Sequence, residues 1–85
     1  MTGGRNRELQ LLIDVLRAAG VTFSVVGSMA RDAPLATDLD ITVAPTEANV
    51  RGIERVVGQP VPSRERSPQQ FVTSYGPLDV FWVPT

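Results

Sequence analysis

The chain has 85 residues, room for a single domain, and a formal net charge of -1, with 8 Lys and Arg set against 9 Asp and Glu. It contains no Cys and no His, and all of its basic residues are arginine, which excludes zinc clusters, disulfides, a histidine-based triad, a P-loop lysine and a Schiff-base mechanism. Nothing in the charge balance makes a nucleic-acid footprint, and no stretch reads as a signal segment or a membrane span, so a cytoplasmic protein whose chemistry is left to carboxylates is expected.

A chain this short buries only somewhat more than roughly 60% of its unfolded surface, so its stability should be marginal and helped by metal, nucleotide or a partner. Residues 1–5, with Gly3 and Gly4, read as a flexible tail. Asn6 can cap a helix running to about Ala19, with Leu9, Leu12, Ile13 and Leu16 at i, i+3, i+4 and i+7 on one face. Gly20 suits the left-handed position after the helix, and Val21 can then close a Schellman motif against Leu16. Phe23, Ser24, Val25 and Val26 read as a buried strand running into Gly27 and Ser28, after which Met29, Ala30 and Arg31 can begin a short helix. Pro34 marks the loop that follows, and Asp32 in it reads as a solvated charge.

A second strand is expected over 38–43, ending before Pro45. Thr46 then caps a helix through about Val57, with Val50, Ile53 and Val57 inward, Glu47 and Glu54 as solvated charges, and Gly58 as the stop. Residues 59–70 form a long loop with Pro60, Pro62 and Pro68 around Arg64, Glu65 and Arg66. The simplest reading of its arginines is a solvated connector, and the sharper one is contact with a triphosphate or a partner. Residues 71–74 and 78–83 read as a hairpin turning near Tyr75, Gly76 and Pro77, with Phe81 and Trp82 on opposite faces. There are no internal repeats.

The candidate site lies in the second and last strands. Side chains two apart on a strand share a face, so Asp38, Asp40 and Thr42 point one way while Leu39, Ile41 and Val43 enter the core. Two residues of rise place the Cα atoms of Asp38 and Asp40 roughly 6 to 7 Å apart, within reach of cations spaced roughly 3.5 to 4 Å in two-metal sites. Hard oxygen ligands suit Mg²⁺, which keeps waters and substrate phosphates as its other ligands. Two solvated aspartates on a half-exposed strand would look the same in so short a motif. Asp79 sits inside the apolar run Leu78, Val80, Phe81, Trp82 and Val83, where aspartate is a poor strand former and costly to bury unpaired. It is either a metal or cation partner or an edge-strand charge that discourages aggregation. Gly27 lets a phosphate approach the backbone, and Ser28 either donates to that phosphate or caps the helix after it.

The run Gly27, Ser28, Met29, Ala30, Arg31, followed by Asp38, Leu39, Asp40 with nine residues between Ser28 and Asp38, resembles the signature of the minimal nucleotidyltransferases of the polymerase-beta-like superfamily. Asp79 between Leu78 and Val80 resembles that superfamily's third metal-binding carboxylate. The resemblance spans nearly the whole chain, with a Gly-Ser to Asp interval about one residue shorter than in many members. It implies that Gly27 and Ser28 hold the triphosphate, that Arg31 touches phosphate, that Asp38 and Asp40 bind Mg²⁺ or Mn²⁺, and that Asp79 completes the metal site and helps activate an acceptor hydroxyl. It also implies an α/β fold of nucleotidyltransferase type, a small mixed sheet covered mainly on one face, in the order α-β-α-β-α-β-β.

Family domains usually continue into another helix, so some apolar surface is expected to lie uncovered and to favour a homodimer or a second protein. Many small members of this superfamily act as antitoxins that modify a HEPN-type toxin. The expected function is therefore transfer of a nucleoside monophosphate from an NTP, ATP first among them, to a hydroxyl of a protein acceptor. A toxin-neutralising binding module without turnover, and a piece of a longer nucleotidyltransferase, are the alternatives.

Overall fold

The computed structural model describes residues 4–27 and 38–83. Leu9, Leu12, Ile13 and Leu16 are all buried, as their helical spacing predicts, on helix α1, Gly4–Ala18. The helix starts earlier than expected, so residues 4 and 5 of the expected tail, and Asn6, lie inside it. Asparagine in a helix costs only some tenths of a kcal/mol, up to about 0.7, relative to alanine, less than continued backbone bonding recovers. At the other end Gly20, at φ 86, carries the expected Schellman pattern: its N–H donates to the Arg17 carbonyl at 3.0 Å, and the Val21 N–H donates to the Leu16 carbonyl at 3.1 Å.

Strand β1, Phe23–Val26, pairs antiparallel with β2, Leu39–Val43. Helix α2, Glu47–Val57, follows, then β3, Gln69–Thr73, and β4, Gly76–Trp82. The sheet order is β1-β2-β4-β3, with β2 and β4 parallel at its centre and antiparallel pairs on either side. The fold is thus small mixed α/β. The helix expected over 29–31 lies outside the described residues.

Alternation along the central strands sorts the two faces. Leu39, Ile41, Val43, Leu78, Val80 and Trp82 join the buried stripe of α1 and Val50 and Ile53 of α2 in one core. Each fully buried Leu, Ile or Val contributes about 1.5 to 3 kcal/mol relative to exposure, so this single layer carries most of the stability. Asp40, Thr42, Asp79 and Phe81 occupy the other face, where they are half-buried.

Two strands depart from expectation. β1 is not a buried strand but an edge, with Ser24 exposed and the rest half-buried, because only β2 pairs with it. The hairpin turns at Ser74 and Tyr75, and β4 starts already at Gly76, whose φ of 127 suits only glycine. Pro77 is tolerated near the start of a strand, where a ladder N–H can be spared.

Asn49 ties these parts together. It is buried at 6% exposure; its Oδ1 accepts the Thr22 N–H at 2.9 Å and its Nδ2 donates to the Ala44 carbonyl at 3.0 Å. Thr46 is the N-cap as expected, its hydroxyl accepting the Asn49 N–H at 3.2 Å, and Gly58 closes α2 at φ 73. Gly52 lets α2 approach closely: a Cβ there would stand 2.6 Å from Val21 Cγ2 and 3.0 Å from the Ala19 carbonyl oxygen. Glu54 is no solvated charge, since it is half-buried and its Oε2 accepts the Val61 N–H at 2.8 Å.

Candidate metal centre

The parallel pairing of β2 and β4 sets Asp40 directly beside Asp79. Neighbouring strands lie about 4.8 Å apart, so like-facing side chains at paired positions must meet. Asp38 precedes β2 and shares the face of Asp40, and one ligand oxygen from each of Asp38, Asp40 and Asp79 lies within 4.8 Å of the others. All three side chains are half-buried. β4 is central in the sheet, with partners on both sides, so Asp79 is not an edge-strand charge.

Gly27 completes the arrangement from the end of β1. Val26 pairs with Asp40, and the next residue, at φ 73, brings its backbone against the Asp40 carboxylate. A Cβ at Gly27 would collide with Asp40 Oδ2 and stand 3.2 Å from Asp40 Cγ. Glycine is therefore required twice, by the left-handed backbone and by the closeness of the carboxylate.

Asp40 Oδ1 and Asp79 Oδ1 are buried and accept no hydrogen bond from the described residues. No arginine of the described residues forms an ion pair with Asp40 or Asp79. Burial pushes the Asp79 carboxyl above the usual carboxylate range, and the adjacent Asp40 carboxylate raises it further, while Asp38 and Gln70 oppose the rise. Gathering three carboxylates this way is unfavourable unless a cation or protons join them. Hard oxygens that converge with unmet acceptor capacity fit a divalent ion of the Mg²⁺ or Mn²⁺ type.

Of the residues expected at the site, Asp38, Asp40, Asp79 and Gly27 come together, and Ser28 and Arg31 lie outside the described residues. The loop arginines part company. Arg64 pairs with Glu47 at 2.7 Å, and Arg66 lines a separate cavity with Pro60, Pro62 and Pro68. Glu47, expected as a solvated helix charge, is exposed and also pairs with Arg51 at 3.4 Å, and the hydrogen bond and charge of Arg64 hold its carboxyl below the usual range. Gln70, opposite Asp79 in the β3 register, was not singled out in the sequence; only the strand register brings it there.

No helix among the described residues is long and apolar enough to cross a membrane. No family model matches the chain, and neither a curated protein nor a solved structure does.

Proposed function

We propose that this chain is a metal-dependent nucleotidyltransferase that moves a nucleoside monophosphate from an NTP, ATP being the first choice, to a hydroxyl of a protein acceptor. The observation that carries the reading is the convergence of Asp38, Asp40 and Asp79 beside a glycine backbone that admits no side chain. Asp38 and Asp40 would hold the metal, with Asp79 completing the set. Mg²⁺ or Mn²⁺, when bound, supplies neutralisation of phosphate charge and of the carboxylates themselves. Gly27 leaves its backbone open to a phosphate, and Ser28 and Arg31 follow it in sequence as the further phosphate contacts. Asp79 is the residue assigned to the acceptor: it orients the hydroxyl and takes its proton as the oxygen bonds to the α-phosphorus, and the α–β phosphoanhydride bond breaks to release pyrophosphate.

A protein acceptor, such as a toxin for which this chain serves as antitoxin, fits the face of the sheet around the carboxylates, which no described element covers. A second copy of the chain is the other candidate for that face. A cytoplasmic setting, where Mg²⁺ and ATP are both at hand, belongs to the same reading. The test is single-turnover transfer from α-labelled ATP with Mg²⁺ and the protein encoded beside this one as acceptor. Label should move with the wild-type chain. With Asp79→Asn, transfer should fall by at least about 100-fold while NTP affinity measured by calorimetry changes little, because the lost interaction is made chiefly in the transition state. NTP binding without any transfer by the wild type would replace this reading with that of a binding module.

A further inference from the structure

β3 is the outermost strand of the sheet and pairs only with β4. It is held firmly from within: Phe71 is buried, and the Trp82 indole N–H donates to Gln69 Oε1 at 3.2 Å. Its phase against β4 follows from the turn. Thr73 and Gly76 close the two-residue hairpin as a hydrogen-bonded pair, and Pro77, opposite Val72, has no N–H to give to β3. Bonding to β4 therefore falls to Gln69, Phe71 and Thr73, and the N–H and C=O groups of Gln70 and Val72 point outward. No turn or loop backbone group among the described residues bonds to those four, and residues 59–68 border the start of the strand only across a cavity.

Exposed sheet edges are usually blunted by a charge, a proline, a bulge or a covering element. β3 contains none of the first three: its residues are Gln, Gln, Phe, Val and Thr, and its register with β4 is unbroken. Val72, 75% exposed, is the most exposed large hydrophobic residue described, and it stands on this edge. Free main-chain groups on a fixed, uncharged strand, beside an exposed apolar side chain, are what addition of a further strand requires.

We propose that the β3 edge pairs antiparallel with β3 of a second copy of this chain, joining two four-stranded sheets into one continuous sheet. The outward groups are self-complementary. A two-fold axis at Phe71 sets Gln70 opposite the second copy's Val72 and Val72 opposite its Gln70, and each pair exchanges N–H and C=O bonds in both directions. Sliding the copy one way sets Val72 opposite Pro68, which has no N–H, and sliding it the other way sets Gln70 opposite Ser74, in the hairpin turn. One register therefore satisfies both chains, and no charge in the strand repels its own image, which favours a copy over an unrelated strand. Across each pair the aliphatic stem of Gln70 lies against Val72 and covers it. The contact is far smaller than the roughly 800 Å² per partner of a standard interface, so the dimer is weak, with a dissociation constant of about 10 μM to 1 mM. The axis is perpendicular to the sheet, so both carboxylate clusters face the same side, but the pairing does not depend on the activity assigned to them.

The test is sedimentation equilibrium of the full chain up to about 1 mM, a concentration at the weak end of the expected range, together with amide hydrogen exchange at low and high concentration. The chain should dimerise, and the Gln70 and Val72 amides should become protected as it does, while the Phe71 amide, already bonded to β4, should not change. Val72→Lys, at an exposed position, should raise the dissociation constant at least about tenfold, because an edge lysine opposes strand addition. The chain has no cysteine, so a nitroxide on Ser74→Cys reports the register directly. Two such labels, some six residues apart along paired strands, should lie about 20 to 30 Å apart with the linkers included. A chain that stays monomeric throughout, a dimer whose Gln70 and Val72 amides stay unprotected, or an unchanged dissociation constant in Val72→Lys would overturn the assignment. Protection of those amides only when the protein encoded beside this one is added would give the edge to a foreign strand and overturn it equally.

Discussion

Gly27 and Asp40 occupy space that only one side chain can use. Adding a methyl group at Gly27 forces the Asp40 carboxylate away and puts a non-glycine residue at φ 73. Gly27→Ala should therefore destabilise the chain by about 1 to 3 kcal/mol, read by urea denaturation, and should also weaken Mn²⁺ binding measured by calorimetry. Loss of stability with unchanged metal affinity would show that Gly27 serves the turn alone. Asp79 sets a second expectation at this scale, for the metal-free protein. Its folded-state pKa lies above the unfolded value, so the folded state binds the proton more tightly. Its contribution to stability is then fully present below the unfolded pKa and declines as pH rises through the folded one. Glu47, whose pKa is lowered, acts in the opposite direction, gaining as pH rises, so the comparison must be with a variant lacking only Asp79. Relative to Asp79→Asn, metal-free wild type should lose stability as pH is raised from the acid range toward neutrality; a flat difference would remove the charge crowding inferred here.

Between elements, Asn49 does what no single strand or helix could do alone. Its side chain satisfies the Thr22 N–H ahead of β1 and the Ala44 carbonyl after β2, while its backbone N–H donates to the Thr46 hydroxyl that caps α2. Truncation leaves a backbone donor and a backbone acceptor without partners in a part-buried position. Asn49→Ala should cost about 2 to 4 kcal/mol, since each unsatisfied buried group costs about 1 to 3 kcal/mol, against about 1 kcal/mol for Thr46→Ala, which removes only a cap. Chemical denaturation of both variants checks the order. Equal losses would mean that the Asn49 side-chain bonds are worth no more than one helix cap and do not join the strands. The exposed pairs of Glu47 are worth far less to stability; the one with Arg51 lies within α2, and the one with Arg64 ties the loop to that helix.

For the molecule as a whole, one apolar layer between two helices and one face of a four-stranded sheet must support an opposite face that gathers three carboxylates. A divalent cation at that cluster should relieve repulsion and bind only the folded chain. At 100 times the dissociation constant the gain is about 2.7 kcal/mol, which for a chain of this size raises the melting temperature by about 10 to 20 °C. Asp40→Asn should match or exceed wild type in stability without metal, and should lose most of the response to Mg²⁺ or Mn²⁺ in thermal melts. Equal shifts in the two proteins would separate Asp40 from the metal.

Local chemistry made much of this legible in advance. The i, i+3, i+4, i+7 stripe of α1, the Gly20 Schellman end, the Thr46 cap and Gly58 stop of α2, and the two-residue alternation from Asp38 to Val43 depend on neighbours a few positions apart, so the sequence alone determined them. The alternation also settled which side of β2 carries the carboxylates. Long-range pairing decided the rest. Asp79 could be an edge charge or a site residue until β4 proved central and parallel to β2, with Asp79 beside Asp40. β1 has the composition of a buried strand but is an edge, and Asn49, Gly52 and Gln69 show no local signal of what they touch. Strand order and register come from packing a whole apolar face at once, and residues tens of positions apart meet only when that packing is made.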